Sequence, residues 1–445
     1  MTTAPVPSVS AALPIARPLE RWIDPPAEAA PAARPLRVFC AGGSGDVGTT
    51  LAHWARGQED PSITAITYSR QLFDAVDALG AELLLVTDNP DTREGRVGRI
   101  EVRGSQRFSV GRSGPRFHAE ELRYALWLAR EAKRWRADVF LTTTMLPHHA
   151  LIPLARSGVR VIASLHNSLW PRELEKLPVM TRLNRRLRGL FWRRYVHATI
   201  CVSPELERQI RVVSGGRPRG ELRQVWAQYH RDRFDAMGPA EPPADGAWNL
   251  LYAGRVESEK GVPQMIAAFA AALPRLRAAD ADATLEVCGG GSFLNEAHAL
   301  ARRLGVGPQV RFRGHLNQDA LGEAFRRCHA VLVPTTKRFS EGLNKVCVES
   351  ALARRPAVMT RATLADNLGG CGLIVPPDDP QAMADAIVRL CTDEDLYRAK
   401  VEGCALVREQ FFDRSWSWGS AIYEILADID RQRRGQPALV SAEAS

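Results

Sequence analysis

The chain has 445 residues, 45% apolar and 24% charged, a balance that excludes wholesale disorder and a length that suits two domains better than one core. Its net charge is +9, and no stretch approaches the ~18 uninterrupted apolar residues of a membrane span. Eight cysteines lie far apart with no CxxC, which excludes a disulfide framework, and the N-terminus lacks the basic-then-apolar pattern of a secretory signal. These features together predict a cytoplasmic protein.

Residues 1–35, rich in Pro and Ala without periodicity, read as a disordered tail. Short apolar runs then alternate with helical patterns. Predicted strands are 36–41, 63–68, 83–87, 138–142, 159–166 and 199–202, with helices at 46–56, 119–136 and 179–195. Ser203-Pro204 reads as a helix start, with Ser as cap and Pro at the first position. The Pro-rich stretch 235–247 is a composition break and reads as a linker. After it the alternation restarts, with strands at 249–253, 284–288, 310–312, 330–333, 356–359 and 373–375, and helical segments from Pro380 to about Arg433. Strands alternating with helices predict parallel sheets covered on both faces. The domains are therefore 36–234 and 248–410, followed by a C-terminal helix at 411–433 expected to pack back on the first domain and a disordered tail at 434–445.

The charge is unevenly placed. Residues 37–235 carry 32 Lys+Arg against 21 Asp+Glu, a surplus of +11, whereas 236–445 carry 24 against 26. A basic first half beside a near-neutral second half predicts that the first domain meets something anionic. Helix 179–195 concentrates this charge in Arg182, Arg185, Arg186, Arg188, Arg193 and Arg194. Its stripe of Met180, Leu183, Leu187, Leu190 and Phe191 is spaced to pack on the sheet, leaving the arginines outward, either as a solvated face or as a surface for anionic lipid.

Strand 36–41 runs into Gly42-Gly43-Ser44-Gly45-Asp46-Val47-Gly48 and then a helix, which satisfies the spacing of a dinucleotide fingerprint. Backbone N–H groups and the helix dipole there accept a phosphate. An oxidoreductase reading also wants a ribose-reading acid at the end of the second strand, and 63–68 ends in Ser69-Arg70, which suits only a 2′-phosphate. The loop reads as a phosphate-approach loop.

Three features converge in the second half. Strand 249–253 ends in Gly254-Arg255, with Lys260-Gly261 five residues on at a helix start, placing two cations at a strand's C-terminal end as a diphosphate clamp. Cys288-Gly289-Gly290-Gly291-Ser292 ends the next strand and allows close backbone approach. Glu341-Gly342-Leu343-Asn344-Lys345 turns into a helix that Asn344 would cap and that would carry Glu349. Two carboxylates separated along one element suit a ligand with hydroxyls at both ends. Asp280/Asp282 and Asp393/Asp395 read as exposed loop or helix-start pairs, so no metal site is expected.

The Arg255/Lys260 pair, the Glu341-x7-Glu349 spacing, and the flanking Ala351-Leu-Ala-x-x-Pro356 and Leu373-Ile-Val-Pro-Pro-Asp-Asp patterns resemble glycosyltransferase family 4. The resemblance is strong over 248–390 and implies the GT-B fold, with two Rossmann-like domains facing across a cleft. It implies an enzyme moving a sugar from a nucleoside-diphosphate sugar (UDP or GDP) to a saccharide or lipid-linked acceptor of polysaccharide synthesis, mostly with retention of configuration and without a metal. Under it, Arg255 and Lys260 neutralise the leaving diphosphate and Glu341 binds sugar hydroxyls. Backbone N–H groups at Gly342, Leu343 and Asn344 hold sugar or phosphate, and Glu349 accepts the ribose hydroxyls. His166 lies near the reacting sugar, and Gly43 and Gly45, with Gly289 and Gly290, line the donor site. The chain departs from the family pattern at Leu343 and Asn344, where an aromatic and a glycine are usual, and at 227–232, where Asn-Gly-Val-Asp is usual. These departures bear on donor identity. A nucleotide-sugar epimerase on the same scaffold, an NADP-linked oxidoreductase through Gly43–Gly48, and a non-catalytic sugar-nucleotide-binding protein are the other readings. Nucleic acid is not an expected partner. The basic first half suits peripheral attachment to the inner face of a membrane.

Overall fold

The computed structural model describes residues 34–60, 63–173 and 179–436, with side chains throughout except at 179–184. The two predicted tails lie almost wholly outside the described residues, as do the side chains of Met180, Arg182 and Leu183.

Two sheets, each covered by helices, carry the chain. The first contains β1 (Arg37–Ala41), β2 (Glu82–Val86), β3 (Gly95–Val97), β4 (Ile100–Arg103), β5 (Val139–Thr142), β6 (Arg160–Leu165), β7 (Val196–Cys201) and β8 (Glu221–Gln224), in the order 3-4-2-1-5-6-7-8. Only the β3–β4 pair is antiparallel. The second contains β9 (Ala247–Ala253), β10 (Asp282–Cys288), β11 (Val310–Gly314), β12 (Ala330–Val333), β13 (Ala357–Thr360) and β14 (Gly372–Val375), in the order 11-10-9-12-13-14 and wholly parallel. The central strands are buried on both faces, which is why they read as continuous apolar runs such as Glu82–Val86 and Ala330–Val333.

Each sheet reverses its winding once, between β1 and β5 in the first and between β9 and β12 in the second. At such a reversal the helices leave in opposite directions and open a crevice at the C-terminal strand ends. The glycine loop after β1 and the Gly254-Arg255 turn after β9 stand at these two crevices.

A single hydrophobic core spans the first sheet and continues into Val348, Ala351 and Leu352 of helix Lys345–Leu352 and into Trp418, Ile422 and Leu426 of helix Trp418–Arg433. The C-terminal helix therefore lies against the first sheet's unit. Gly419 N donates to Gln71 Oε1 at 2.7 Å, and Arg160 Nη2 donates to Gln432 Oε1 at 3.2 Å. A second core lies wholly within the second unit, where helices Val262–Arg277 and Pro380–Thr392 pack together on the sheet.

Two expectations are corrected. Residues 63–68 form no strand; Thr67 instead caps helix Tyr68–Ala78, accepting from Arg70 N, and the strand paired with β1 is Glu82–Val86. That strand runs into Thr87-Asp88, so the first sheet does present an acid after its second strand. The apolar stripe of helix Val179–Arg194 is also not directed at the sheet throughout. Leu187 is 43% and Leu190 37% exposed, while Phe191 and Trp192 supply the buried contacts and Arg188 is half-buried.

Candidate active site

A cavity of about 520 Å³ opens at the first crevice, lined by the Gly42–Val47 loop, Thr143, Tyr68, His166, Lys345 and Trp418 among others. The loop's glycines divide their tasks. A Cβ on Gly43 or Gly45 would meet nothing within 4 Å, so these two face open space, whereas one on Gly48 would lie 1.7 Å from the Arg93 carbonyl oxygen. Gly48 is thus required for close packing of helix Val47–Trp54, and Gly43 and Gly45 leave the backbone approachable. Asp46 caps that helix, its carboxylate accepting from Thr49 N at 3.2 Å and held below the usual range chiefly by the Thr49 hydroxyl.

His166 follows β6. Its ring lies against Tyr68 with centroids 4.3 Å apart and planes tilted by 52°, and Nε2 lies 2.9 Å from Ser164 Oγ. Burial, and then the nearby Lys345 charge, depress its pKa to about 3, so the imidazole is neutral in the folded protein. Lys345 Nζ stands 5.8 Å from the centroid of the Tyr68 ring, reaching over it from the second unit.

At the second crevice, Gly261 has φ +83° and a Cβ there would lie 1.9 Å from the Pro334 carbonyl oxygen, so only glycine lets the turn bearing Lys260 approach the end of β12. Lys260 Nζ then meets Glu341 Oε2 at 2.9 Å and lies 3.9 Å above the Phe339 ring centroid. Asn344 completes the cluster. Its carbonyl caps helix Lys345–Leu352 by accepting from Val346 N at 3.0 Å, and its amide donates to Glu341 Oε2 at 3.2 Å. Arg255 is exposed, with its guanidinium 6.0 Å from the Phe339 ring centroid. Lys260 and Glu341 are thus brought into contact, whereas Arg255 makes no ion pair with Glu341 among the described residues.

The two crevices face one another. Ser168 N donates to the Glu341 carbonyl at 3.0 Å, and a Cβ on Gly342 would lie 1.9 Å from the His166 carbonyl oxygen. Leu343 is buried and lines the cavity. On the other side of this contact, Arg172 pairs with Asp366 and Arg361 with Glu173 across the units.

Other predicted positions differ from expectation. Glu349 is 7% exposed on helix Lys345–Leu352, faces Tyr229 and, like Arg255, Lys260 and Glu341, is not part of the cavity lining. Burial raises its pKa to about 7, opposed by Lys345 and Tyr229. Gly289 has φ +143° and a Cβ on it would lie 1.8 Å from the Gly254 carbonyl oxygen, so this glycine serves loop-on-loop packing; only Gly290 faces open space. Asp282 is paired with Arg277, and Asp393 caps a helix through Leu396 N. Asp88, the acid after β2, is held by Arg107 and by the Thr144 hydroxyl. Ser69 and Arg70 lie on helix Tyr68–Ala78, where Arg70 pairs with Glu59.

Reasoning from sequence missed Tyr68, Ser164, Lys345 and Trp418. Lys345 stands inside the Glu341–Glu349 motif and was detectable there as a third cation at a helix start. The other three carry no local signal.

Two family models match the chain: "Glycosyltransferase Family 4" over residues 65–222 and "Glycosyl transferases group 1" over 247–393. The chain belongs to glycosyltransferase family 4. Among curated relatives, glycogen synthase of Mycobacterium tuberculosis is 36% identical over 213 residues, 46% of this chain and 48% of that protein. D-inositol 3-phosphate glycosyltransferase of Corynebacterium kroppenstedtii is 30% identical over 42% of this chain and 41% of its own length. The chain thus aligns with about half or less of these relatives' length. Sucrose-phosphate synthase from Thermosynechococcus elongatus superposes with a TM-score of 0.63 at 18% identity, over 90% of this chain and 99% of that one. HepE of Anabaena in complex with UDP superposes with a TM-score of 0.55 at 18% identity, over 90% and 98%. These likenesses concern the fold, which is GT-B. Among the described residues, no helix of this family 4 chain is long and apolar enough to cross a membrane.

Proposed function

We propose that this chain transfers a glycosyl group from a nucleoside-diphosphate sugar to an acceptor hydroxyl, with retention of configuration. The observation that carries the reading is the Lys260–Glu341 pair at 2.9 Å, set where β9 and β12 diverge and beside the Asn344-capped helix start. A cation and a carboxylate held together there match the two ends of a sugar diphosphate, one anionic and one rich in hydroxyls. An ammonium has three donors, so Lys260 can serve Glu341 and a phosphate oxygen at once.

In this scheme the bond from the anomeric carbon to the diphosphate oxygen breaks and its electron pair leaves with the nucleoside diphosphate. Arg255 and Lys260 stabilise the charge that develops, together with the N–H groups of Gly342 and Leu343, the Asn344 N–H being committed to the Thr363 carbonyl at 3.1 Å. The acceptor oxygen bonds to the anomeric carbon on the face just vacated, and its proton passes to the departing phosphate oxygen. Glu341 holds sugar hydroxyls, Glu349 accepts from the ribose when Tyr229 yields, and Gly43 and Gly45 approach the diphosphate from the opposite crevice. No step calls on a metal ion. Because HepE structures carry UDP and UDP-glucose, UDP is the first nucleotide to test and GDP the second.

The acceptor is a glycan or lipid-linked saccharide entering from the first unit. Exposed Arg185, Arg186, Arg193 and Arg194 surround exposed Leu187 and Leu190 on helix Val179–Arg194, and Val212 is exposed on the adjoining helix Pro204–Ser214. Cations around outward apolar side chains suit an anionic bilayer surface, which supports peripheral attachment on the cytoplasmic face.

Incubation with a panel of UDP- and GDP-sugars, following nucleoside-diphosphate release, tests the reading. A thermal shift with NADP but with neither UDP nor GDP would instead favour the oxidoreductase alternative.

A further inference from the structure

Trp418 begins the C-terminal helix, is fully buried, and donates its indole N–H to Ser164 Oγ at 2.8 Å. Ser164 Oγ in turn lies 2.9 Å from His166 Nε2, and among the described residues these are its two side-chain partners. We propose that Ser164, held by Trp418, fixes His166 as its Nδ1–H tautomer, so that Nδ1 donates to a ligand oxygen in the cavity. The tautomer follows from the chain alone; the ligand oxygen rests on the sugar-transfer reading above.

The direction of the relay follows from counting protons. An indole N–H can only donate, so Ser164 Oγ accepts from Trp418. Ser164 is 2% exposed and has one proton of its own. If Nε2 carried a hydrogen, Oγ would accept twice, and both the Ser164 proton and the Nδ1 lone pair would be buried unpaired; with the hydrogen on Nδ1, that N–H is the one group left unpaired, and each buried orphan costs ~1–3 kcal/mol. Ser164 therefore donates to Nε2, and the ring hydrogen resides on Nδ1. That nitrogen is buried with no protein partner among the described residues, although the residue lines the cavity.

The charged and titratable surroundings favour the neutral ring. Tyr68 covers one face from helix Tyr68–Ala78, and Lys345 approaches from helix Lys345–Leu352. Neither supplies a negative charge that would stabilise an imidazolium, and burial with the Lys345 charge drives the pKa to about 3. His166 in this arrangement is a fixed donor with no proton to exchange near neutrality.

Trp418 is itself held from three sides. Ser417 caps its helix by accepting from Ser420 N at 2.9 Å, Gly419 N bonds Gln71 Oε1 at 2.7 Å, and Trp226 N bonds the Trp416 carbonyl at 2.9 Å. A Cβ on Gly419 would lie 3.1 Å from Gln71, so the helix start is in close contact with the helix that carries Tyr68. Trp418 also meets Tyr68 edge-on with ring centroids 5.7 Å apart. Ser164 and Trp418 are positioning residues that act through His166.

Ring-nitrogen NMR on the full chain with 15N-labelled histidine reads the tautomer directly, the His166 signals being identified by their loss in His166→Gln. The wild type is expected as the Nδ1–H form, unchanged from pH 8 to pH 5. Ser164→Ala should move His166 to the Nε2–H form, Trp418→Phe should give a mixture, and Ser164→Thr should retain the wild-type form. In nucleotide-release assays Ser164→Ala should lower kcat about tenfold, the scale of a misdirected donor, with nucleotide affinity unchanged and Ser164→Thr restoring most of the loss. A wild-type Nε2–H ring, or an Nδ1–H ring unaltered in either Ser164→Ala or Trp418→Phe, overturns the proposal. If the wild-type chain turns over no nucleotide sugar, the transfer reading fails while the spectra still decide the tautomer.

Discussion

Gly342 faces the carbonyl of His166 so closely that a single methyl group on it would lie 1.9 Å from that oxygen. The neighbouring Ser168 N–H to Glu341 carbonyl bond, at 3.0 Å, joins the same two chain segments. Backbone on both sides leaves little room to yield. Gly342→Ala should therefore hold the two units apart while each remains folded. Transfer should fall on the order of 100-fold, the usual consequence of displacing reacting groups by about an ångström. Small-angle scattering should show a larger radius with an unchanged circular dichroism spectrum; an unchanged radius with full activity would show that the contact relaxes freely.

Lys260→Ala removes the partner of a largely buried carboxylate as well as a phosphate cation, and should lower nucleoside-diphosphate release by at least ~100-fold. Arg255→Ala, at an exposed position where the nearby carboxylate is Glu257 rather than Glu341, should follow in the same direction to a smaller extent. Near-normal turnover in both would reduce the pair to surface charge.

The two carboxylates of the motif should separate kinetically. Glu341→Gln weakens both the Lys260 pairing and sugar binding and should depress kcat with the fold intact. Glu349→Gln should chiefly weaken nucleotide affinity, because a ribose contact is made equally in ground and transition states. Isothermal titration with UDP decides the second assignment, which fails if affinity is unaltered.

Glu349 also makes a stability prediction. Its folded pKa of about 7 lies above the ordinary 4.5, so between these values the folded chain binds this proton more tightly than the unfolded one. This contribution to stability therefore falls as pH rises from 4.5 to 7 and is level above that. Glu349→Gln removes the slope. Its melting temperature should exceed that of wild type at pH 8, by an effect of at most ~3 kcal/mol, and match it near pH 4.5. Equal melting temperatures at both pH values would mean that the carboxylate is solvated.

Helix Val179–Arg194 should bind vesicles through two separable terms. Cosedimentation with anionic vesicles should exceed that with neutral ones and weaken with salt, each arginine near the surface contributing ~1 kcal/mol. Leu187→Ser with Leu190→Ser should lower binding at every salt concentration. Equal, weak binding to both vesicle types would return these arginines to solvent.

Much of this molecule was legible without coordinates because its signals are local. Buried parallel strands must be apolar along their whole length, so β1, β5, β9 and β12 announce themselves, and with them the two-sheet architecture. Lys260, Glu341 and the Asn344 cap were legible singly for a related reason, because cation, carboxylate and cap occupy the turns that a strand-to-helix connection needs; their mutual contacts came with the tertiary structure. Where local patterns misled, a long-range contact had overridden them. Residues 63–68 have a strand's composition but pair with no strand of the first sheet, and the second strand lies beyond a helix that Thr67 caps. Leu187 and Leu190 keep helical spacing yet face outward, because Phe191 and Trp192 take the buried side. Glu349 occupies the predicted helix, but its burial against Tyr229 arises only when the chain crosses between the sheets. Ser164, His166 and Trp418 show the limit most clearly. Trp418 is 254 residues from Ser164, and no spacing rule connects a strand end to a helix start at that separation. Local sequence determined the elements and the charges at their ends; tertiary packing decided which of those groups became neutral, paired or oriented, because burial and proton direction depend on what surrounds a side chain rather than on what precedes it.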